Sequence, residues 1–184
     1  MTLEELAASL LEHLDAAGVP HMIVGSVASS YHGEPRMTRD LDVVIDPEPE
    51  RLDALLARLQ GAGLYADADA ARVALAQRTQ FNAIDPRSGW KADLIIRKDR
   101  PFSREEFARR AEARLPLGAV QIATAEDAIL AKLEWAHSGR SERQLSDVAG
   151  MVAVSGDRLD LTYLDRWAAE LGVTDLWERV RPRR

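Results

Sequence analysis

The chain has 184 residues, and 24 Lys+Arg against 30 Asp+Glu give a formal charge of −6. That balance excludes a protein whose whole surface grips nucleic acid, which needs clustered Lys and Arg. The absence of cysteine excludes disulfides and thiolate metal sites, while 46% hydrophobic residues suffice for a sizeable core.

Thr2 and Glu5 fit a capping box, with Leu3, Leu6, Leu10 and Leu14 following at helical spacing until Gly18 and Pro20 end the helix. This start has two early glutamates and no basic residue, unlike a signal peptide. No apolar run approaches the ~20 residues that cross a bilayer, so a cytoplasmic protein without membrane contact is expected. "HMIVGS" reads as a short strand entering Gly25–Ser26, and "VASSYHG" as a helix of one or two turns closed by Gly33. "DLDVVID" is a strand stopped by Pro47 and Pro49, and "PERLDALLARLQGAG" a helix burying Leu52, Leu55, Leu56 and Leu59. "DADAARVALAQRTQ" is ambiguous between helix and loop. "FNAI", the turn "DPRSG" and "WKADLIIR" form an antiparallel hairpin. "FSREEFARRAEARL" reads as one helix and "GAVQIA" as a strand. From Thr124, which caps "AEDAILAKLEWAHSG", the pattern is helical through "SERQLSDVAGMVAVSG", "LTYLDRWAAELG" and "TDLWERV". The expected division is a mixed α/β part over residues 1–123 and a helical part over 124–184.

Alternation along "DLDVVID" puts Asp40, Asp42, Val44 and Asp46 on one face and Leu41, Val43 and Ile45 on the other. Asp40 and Asp42 then lie roughly 7 Å apart, close enough to raise each other's pKa unless positive charge intervenes. Solvation alone accounts for most isolated D-x-D pairs, but three features favour a shared cation here. Gly25–Ser26 follows a strand and opens a helix, where glycine permits close approach and unpaired N–H groups suit phosphate. Asp93, in "WKADLII", is a carboxylate on another apolar strand, where burial is costly without a partner. The order is also suggestive: Gly–Ser, 13 intervening residues, D-x-D, then a later strand aspartate. Three converging carboxylates can hold two Mg²⁺ ions that share their coordination with phosphates.

That order resembles the nucleotidyltransferase superfamily with a DNA-polymerase-β-like core, whose pattern is a Gly-Ser or Gly-Gly pair, a short gap, Asp-x-Asp or Asp-x-Glu, and a third acidic strand residue. The matching stretches are "VGSVASSYHGEPRMTRDLDVVID" and "FNAIDPRSGWKADLII". "AEDAILAKLEWAHSGRSERQLSDVAGM" is similar to the helical element of abortive-infection-type (AbiEii-like) nucleotidyltransferases, where a lysine precedes an Arg-x-x-x-Asp run. The resemblance covers roughly residues 1–155. It implies an α+β nucleotidyltransferase fold, a mixed sheet with flanking helices, followed by a helical C-terminal part. It also implies transfer of a nucleoside monophosphate from an NTP to a hydroxyl of tRNA, protein or a small molecule, with a toxin role and an antitoxin partner as one setting. On that resemblance Asp40, Asp42 and Asp93 would be the catalytic, metal-binding residues for two Mg²⁺ ions, or Mn²⁺ in their place. Gly25 and Ser26 would hold the triphosphate, with Lys132 and Asp147 supporting it.

Several residues read two ways. Lys132 can snorkel from an amphipathic helix, and Asp147 can pair with Arg143 at helical spacing. Arg36 and Arg39 either contact phosphate or neutralise the acidic face. Lys91 either reaches substrate or counters Asp93. Asp46, about 13 Å beyond Asp42, falls outside the metal set and is expected to cap the turn before Pro47. Tyr31 and His32, beside the Gly–Ser loop, either contact a base or pack, with packing expected, and Trp135, Trp167 and Trp177 are expected to lie in helix cores. The tail "RVRPRR" reads as a solvated end. His13, His21, His32 and His137 lack zinc-site spacing, and neither a P-loop nor a G-x-G-x-x-G is present. Two other classes remain: a silent nucleotide- or partner-binding protein of the same fold, and a D-x-D glycosyltransferase, whose usual α/β domain hardly fits in this length.

Overall fold

A computed structural model describes residues 1–139 and 141–182; Arg183 and Arg184 of the basic tail lie outside the described residues. The residues group into two compact units. One comprises Met1–Val24 and Thr38–Ile122, the other Gly25–Met37 and Ala123–Arg184. The division expected from sequence is contiguous. These units are not, because the segment around the Gly–Ser turn packs with the C-terminal helices.

The first unit holds a six-stranded mixed sheet. Its strands are β1 (His21–Ile23), β2 (Asp40–Ile45), β3 (Gln80–Ile84), β4 (Lys91–Ile96), β5 (Ala111–Leu115) and β6 (Gly118–Ile122), in the order β3-β4-β2-β1-β6-β5. β2 runs parallel to β4 and antiparallel to β1, while β1 pairs parallel with β6. Alternation does what the sequence requires of it. Leu41, Val43 and Ile45 on β2 and Ala92, Leu94 and Ile96 on β4 are buried, and the residues between them are only part-buried. Helix α1 (Leu3–Ala16) packs against β2 and β4 through this apolar side, burying Leu6, Leu10 and Leu14. Its capping box forms as expected: the Glu5 amide donates to Thr2 Oγ1, and the Thr2 amide to Glu5 Oε2. Helix α3 (Pro49–Gly61) buries Leu52, Leu55, Leu56 and Leu59, and the ambiguous segment resolves as α4 (Ala68–Gln77) capped by Asp67.

One element differs from expectation. "FSREEFARRAEARL" is not a single helix. Helix α5 (Pro101–Ala108) stops, and Ala111–Leu115 becomes β5, paired antiparallel with β6 around Pro116–Leu117. The alanines and charged residues here favour helix locally. Pairing with β6 satisfies the backbone and seats Ala113 among buried residues, which overrides that preference.

The second unit is helical: α2 (Gly25–His32), α6 (Ala125–Gly139), α7 (Glu142–Ser155), α8 (Leu161–Glu170) and α9 (Thr174–Val180), with a 3-10 turn at Gly156–Arg158. α2 packs on α6 and α7 around Ala28, Ile129, Leu133, Val148 and Met151. Buried Asp127 accepts hydrogen bonds from Thr124 Oγ1 at 2.6 Å and Tyr163 Oη at 2.5 Å, tying the start of α6 to α8. Trp167 and Trp177 lie in this core, whereas Trp135 does not: it is 68% exposed on α6. Helical periodicity alone did not reveal which face of α6 its neighbours cover. Among the described residues no helix is long and apolar enough to cross a membrane.

Candidate active site

The carboxylates of the first unit come together through strand register. In the parallel β2–β4 pair, Asp42 stands opposite Asp93 and Asp40 opposite Lys91. All four side chains project from the part-buried face. Neighbouring strands are about 4.8 Å apart, so Asp42 and Asp93 are adjacent across the ladder, with Asp40 one pleat repeat along. The positive charge that the paired aspartates call for is supplied by Lys91. Its Nζ donates to Asp93 Oδ1 at 3.1 Å and Oδ2 at 3.4 Å and lies 3.6 Å from Asp40 Oδ1. The hydrogen bond to Asp93, joined by the charges of Asp93 and Asp40, raises the Lys91 pKa. On the other side of β4, Asn82 of β3 is the register partner of Asp93 and donates its Nδ2 to Asp93 Oδ1.

The donor set fits a hard divalent cation in charge and atom type. The Lys91 ammonium marks a place where positive charge already resides. As the side chains stand, no group of three or more His, Asp or Glu among the described residues is gathered tightly enough to hold a metal. Asp46 is engaged elsewhere. It accepts from Arg78 Nη1 at 3.1 Å and Arg97 Nε at 2.8 Å, so it anchors two guanidinium groups instead of capping the turn before Pro47.

In the second unit, Gly25 opens α2 at φ +62°, a backbone region that favours glycine. Ser26 follows, and its Oγ accepts from Arg36 Nη2 at 2.6 Å. The same guanidinium grips Asp147 with Nε to Oδ1 at 2.9 Å and Nη2 to Oδ2 at 2.8 Å. Lys132 donates to Asp147 Oδ2 at 2.7 Å and Gln144 Oε1 at 2.9 Å. Lys132 is buried and does not snorkel; Asp147 pairs with Arg36 and Lys132 rather than Arg143. Burial pushes the Asp147 carboxyl up, but the two cationic donors outweigh it and hold the group below the usual carboxylate range. His32 packs as expected: its Nε2 donates to the Ala123 carbonyl at 2.7 Å, and burial lowers its pKa.

Gly25, Ser26, Lys132 and Asp147 therefore share the helical unit, and Asp40, Asp42 and Asp93 share the sheet. Sequence patterning does not single out Asn82 or Gln144, and it does not decide between the two readings of Arg36 and Lys91 that the structure resolves as hydrogen-bonded partners of Asp147 and Asp93. The hairpin register about "DPRSG" was the available signal for Asn82.

Solved structures share the fold of this chain. The chain is similar to ANT(2'')-Ia in complex with adenylyl-2''-tobramycin over 94% of its own length and 98% of that chain, with 15% identity and a TM-score of 0.61. The chain has the nucleotidyltransferase fold. A nucleotidyltransferase-like antigenic protein from Paracoccidioides brasiliensis shares this fold over 99% and 94% of the two chains, at 16% identity and TM-score 0.60. The lincosamide antibiotic adenylyltransferase LnuA, lincomycin-bound, shares the nucleotidyltransferase fold over 84% and 98%, at 12% identity and TM-score 0.55. Neither a protein-family model nor a curated protein matches the chain.

Proposed function

We propose that this chain is a divalent-metal-dependent nucleotidyltransferase that moves a nucleoside monophosphate from an NTP to a hydroxyl group. The observation that carries the reading is the register of Asp42 with Asp93 across β2 and β4, with Asp40 on the same face. These three carboxylates would hold Mg²⁺, or Mn²⁺ in its place, and such ions when bound offset the charge of the phosphates in an in-line displacement. Asp93, held by Asn82 from the neighbouring strand, would orient the attacking hydroxyl and take its proton. The oxygen so freed attacks the α-phosphate, and pyrophosphate leaves.

Gly25 and Ser26 would receive the β- and γ-phosphates. Ser26 Oγ accepts from Arg36, which leaves its own proton to donate to a phosphate oxygen and polarises that proton with a positive charge. Asp147 keeps Arg36 and Lys132 in fixed positions, so both cations are oriented before the nucleotide arrives. Use of an NTP fits a cytoplasmic location.

Two of the similar solved structures carry antibiotics or their adenylylated products, which supports a small-molecule hydroxyl as the acceptor. tRNA and protein hydroxyls, with an antitoxin-type partner, follow from the abortive-infection-type resemblance. The test incubates the protein with Mg²⁺ and each α-labelled NTP against aminoglycoside, lincosamide, tRNA and cell-lysate acceptors, and follows label transfer and pyrophosphate. Transfer that disappears in Asp42→Asn supports the reading. Metal-dependent NTP binding that never yields pyrophosphate with any acceptor would replace it with a silent nucleotide-binding protein.

A further inference from the structure

We infer that Lys91 is a built-in counter-cation of the strand carboxylates, and that a divalent ion reaches Asp93 and Asp40 only by displacing its ammonium. This rests on the metal-site reading above and adds to it a residue that controls access to the site.

Lys91 lies beside Asp40 in the ladder and two residues before Asp93 on the same face, so its side chain can span both carboxylates. Nζ sits 3.1 and 3.4 Å from the two Asp93 oxygens and 3.6 Å from Asp40 Oδ1. These are the oxygens a metal would need. A Mg²⁺ ion binds carboxylate oxygen at about 2.0–2.1 Å, so ion and ammonium on the same oxygens would be like charges in near contact. One must leave. With Lys91 in place, part of the carboxylate charge on this face is offset in the absence of metal. The cost is a weakened metal site in the free protein. A triphosphate brings its own negative charge and can compensate the displaced ammonium. Metal binding is therefore coupled to nucleotide binding: weak alone, stronger together. Arg78 and Arg97 do not serve this function, since Asp46 holds both.

The experiment titrates Mn²⁺ into the full chain without nucleotide, reading free Mn²⁺ by electron paramagnetic resonance. The proteins are wild type, Lys91→Met, Lys91→Gln and Lys91→Arg, with and without Asp42→Asn. Removing the ammonium should tighten Mn²⁺ binding about tenfold in Lys91→Met and Lys91→Gln, because a like charge near the ion is lost. Lys91→Arg keeps the charge and should gain nothing, and Asp42→Asn should weaken binding in every background. Lys91→Gln retains a polar contact to Asp93 and serves if the methionine variant folds poorly. Unchanged affinity in both neutral variants, with Asp42→Asn still weakening binding, overturns the role of Lys91 and leaves the metal site standing. Mn²⁺ binding that ignores Asp42→Asn in all backgrounds overturns the metal-site reading itself.

Discussion

Arg36 and Asp147, 111 residues apart in sequence, meet as a two-point ion pair with both N···O distances below 3 Å. Lys132 shares the same carboxylate, whose side chain is only 9% exposed. Removing one partner of a buried charged group strands the others. Asp147→Ala, which leaves two cations facing each other, should therefore cost about 3–5 kcal/mol in chemical denaturation.

The same pair sets an acid dependence. The folded-state pKa of Asp147 lies below its unfolded value, so its stabilisation is complete above about pH 4 and is lost as pH falls through the folded value. Stability measured downward from pH 5 should drop more steeply in wild type than in Asp147→Asn, which has no carboxylate to protonate. Parallel curves would show that Asp147 does not contribute to acid unfolding.

Asp42 and Asp46 share a strand face in sequence, and Asp46 is the one that holds Arg78 and Arg97. On the proposed function, Asp42→Asn should lower pyrophosphate release by at least about 10²-fold with little change in melting temperature, since electrostatic stabilisation of phosphoryl transfer would be lost. Asp46→Asn loosens Arg78 and Arg97 and should lower the melting temperature while transfer persists. A paired activity and thermal-unfolding assay separates the two, and the reverse pattern would exchange their roles.

Gly33 closes α2 against the backbone of α7. A Cβ there would lie 2.8 Å from the Met151 amide nitrogen and 3.0 Å from the Gly150 carbonyl carbon, neither of which can rotate away. Gly33→Ala should destabilise the chain by about 1–3 kcal/mol. Gly61→Ala, which meets nothing within 4 Å, should be neutral or slightly stabilising.

The tryptophans of the second unit provide a contrast. Trp177 is 1% exposed and donates Nε1 to Asp165 Oδ1 at 2.6 Å, whereas Trp135 is 68% exposed. Trp177→Ala should cost about 3–5 kcal/mol and Trp135→Ala less than about 0.5. The fluorescence maximum of Trp135 should lie at longer wavelength than that of Trp177.

Much of the architecture was legible because its causes are local. The Thr2–Glu5 cap, the leucine spacing of α1 and α3 and the aspartate–aliphatic alternation of β2 each follow from a few consecutive residues. Alternation alone placed Asp40 and Asp42 on one face, and Asp93 was legible only as a carboxylate on another apolar strand. What no local pattern contains is who stands across from whom. The conversion of Ala111–Leu115 to a strand, Lys91 between two carboxylates, Asp147 shared by Arg36 and Lys132, and Asp46 holding two arginines all depend on partners distant in sequence. Charged side chains carry no direction of their own. Their partners are decided when strand register and helix packing bring particular groups within hydrogen-bond reach, and that is a property of the folded chain.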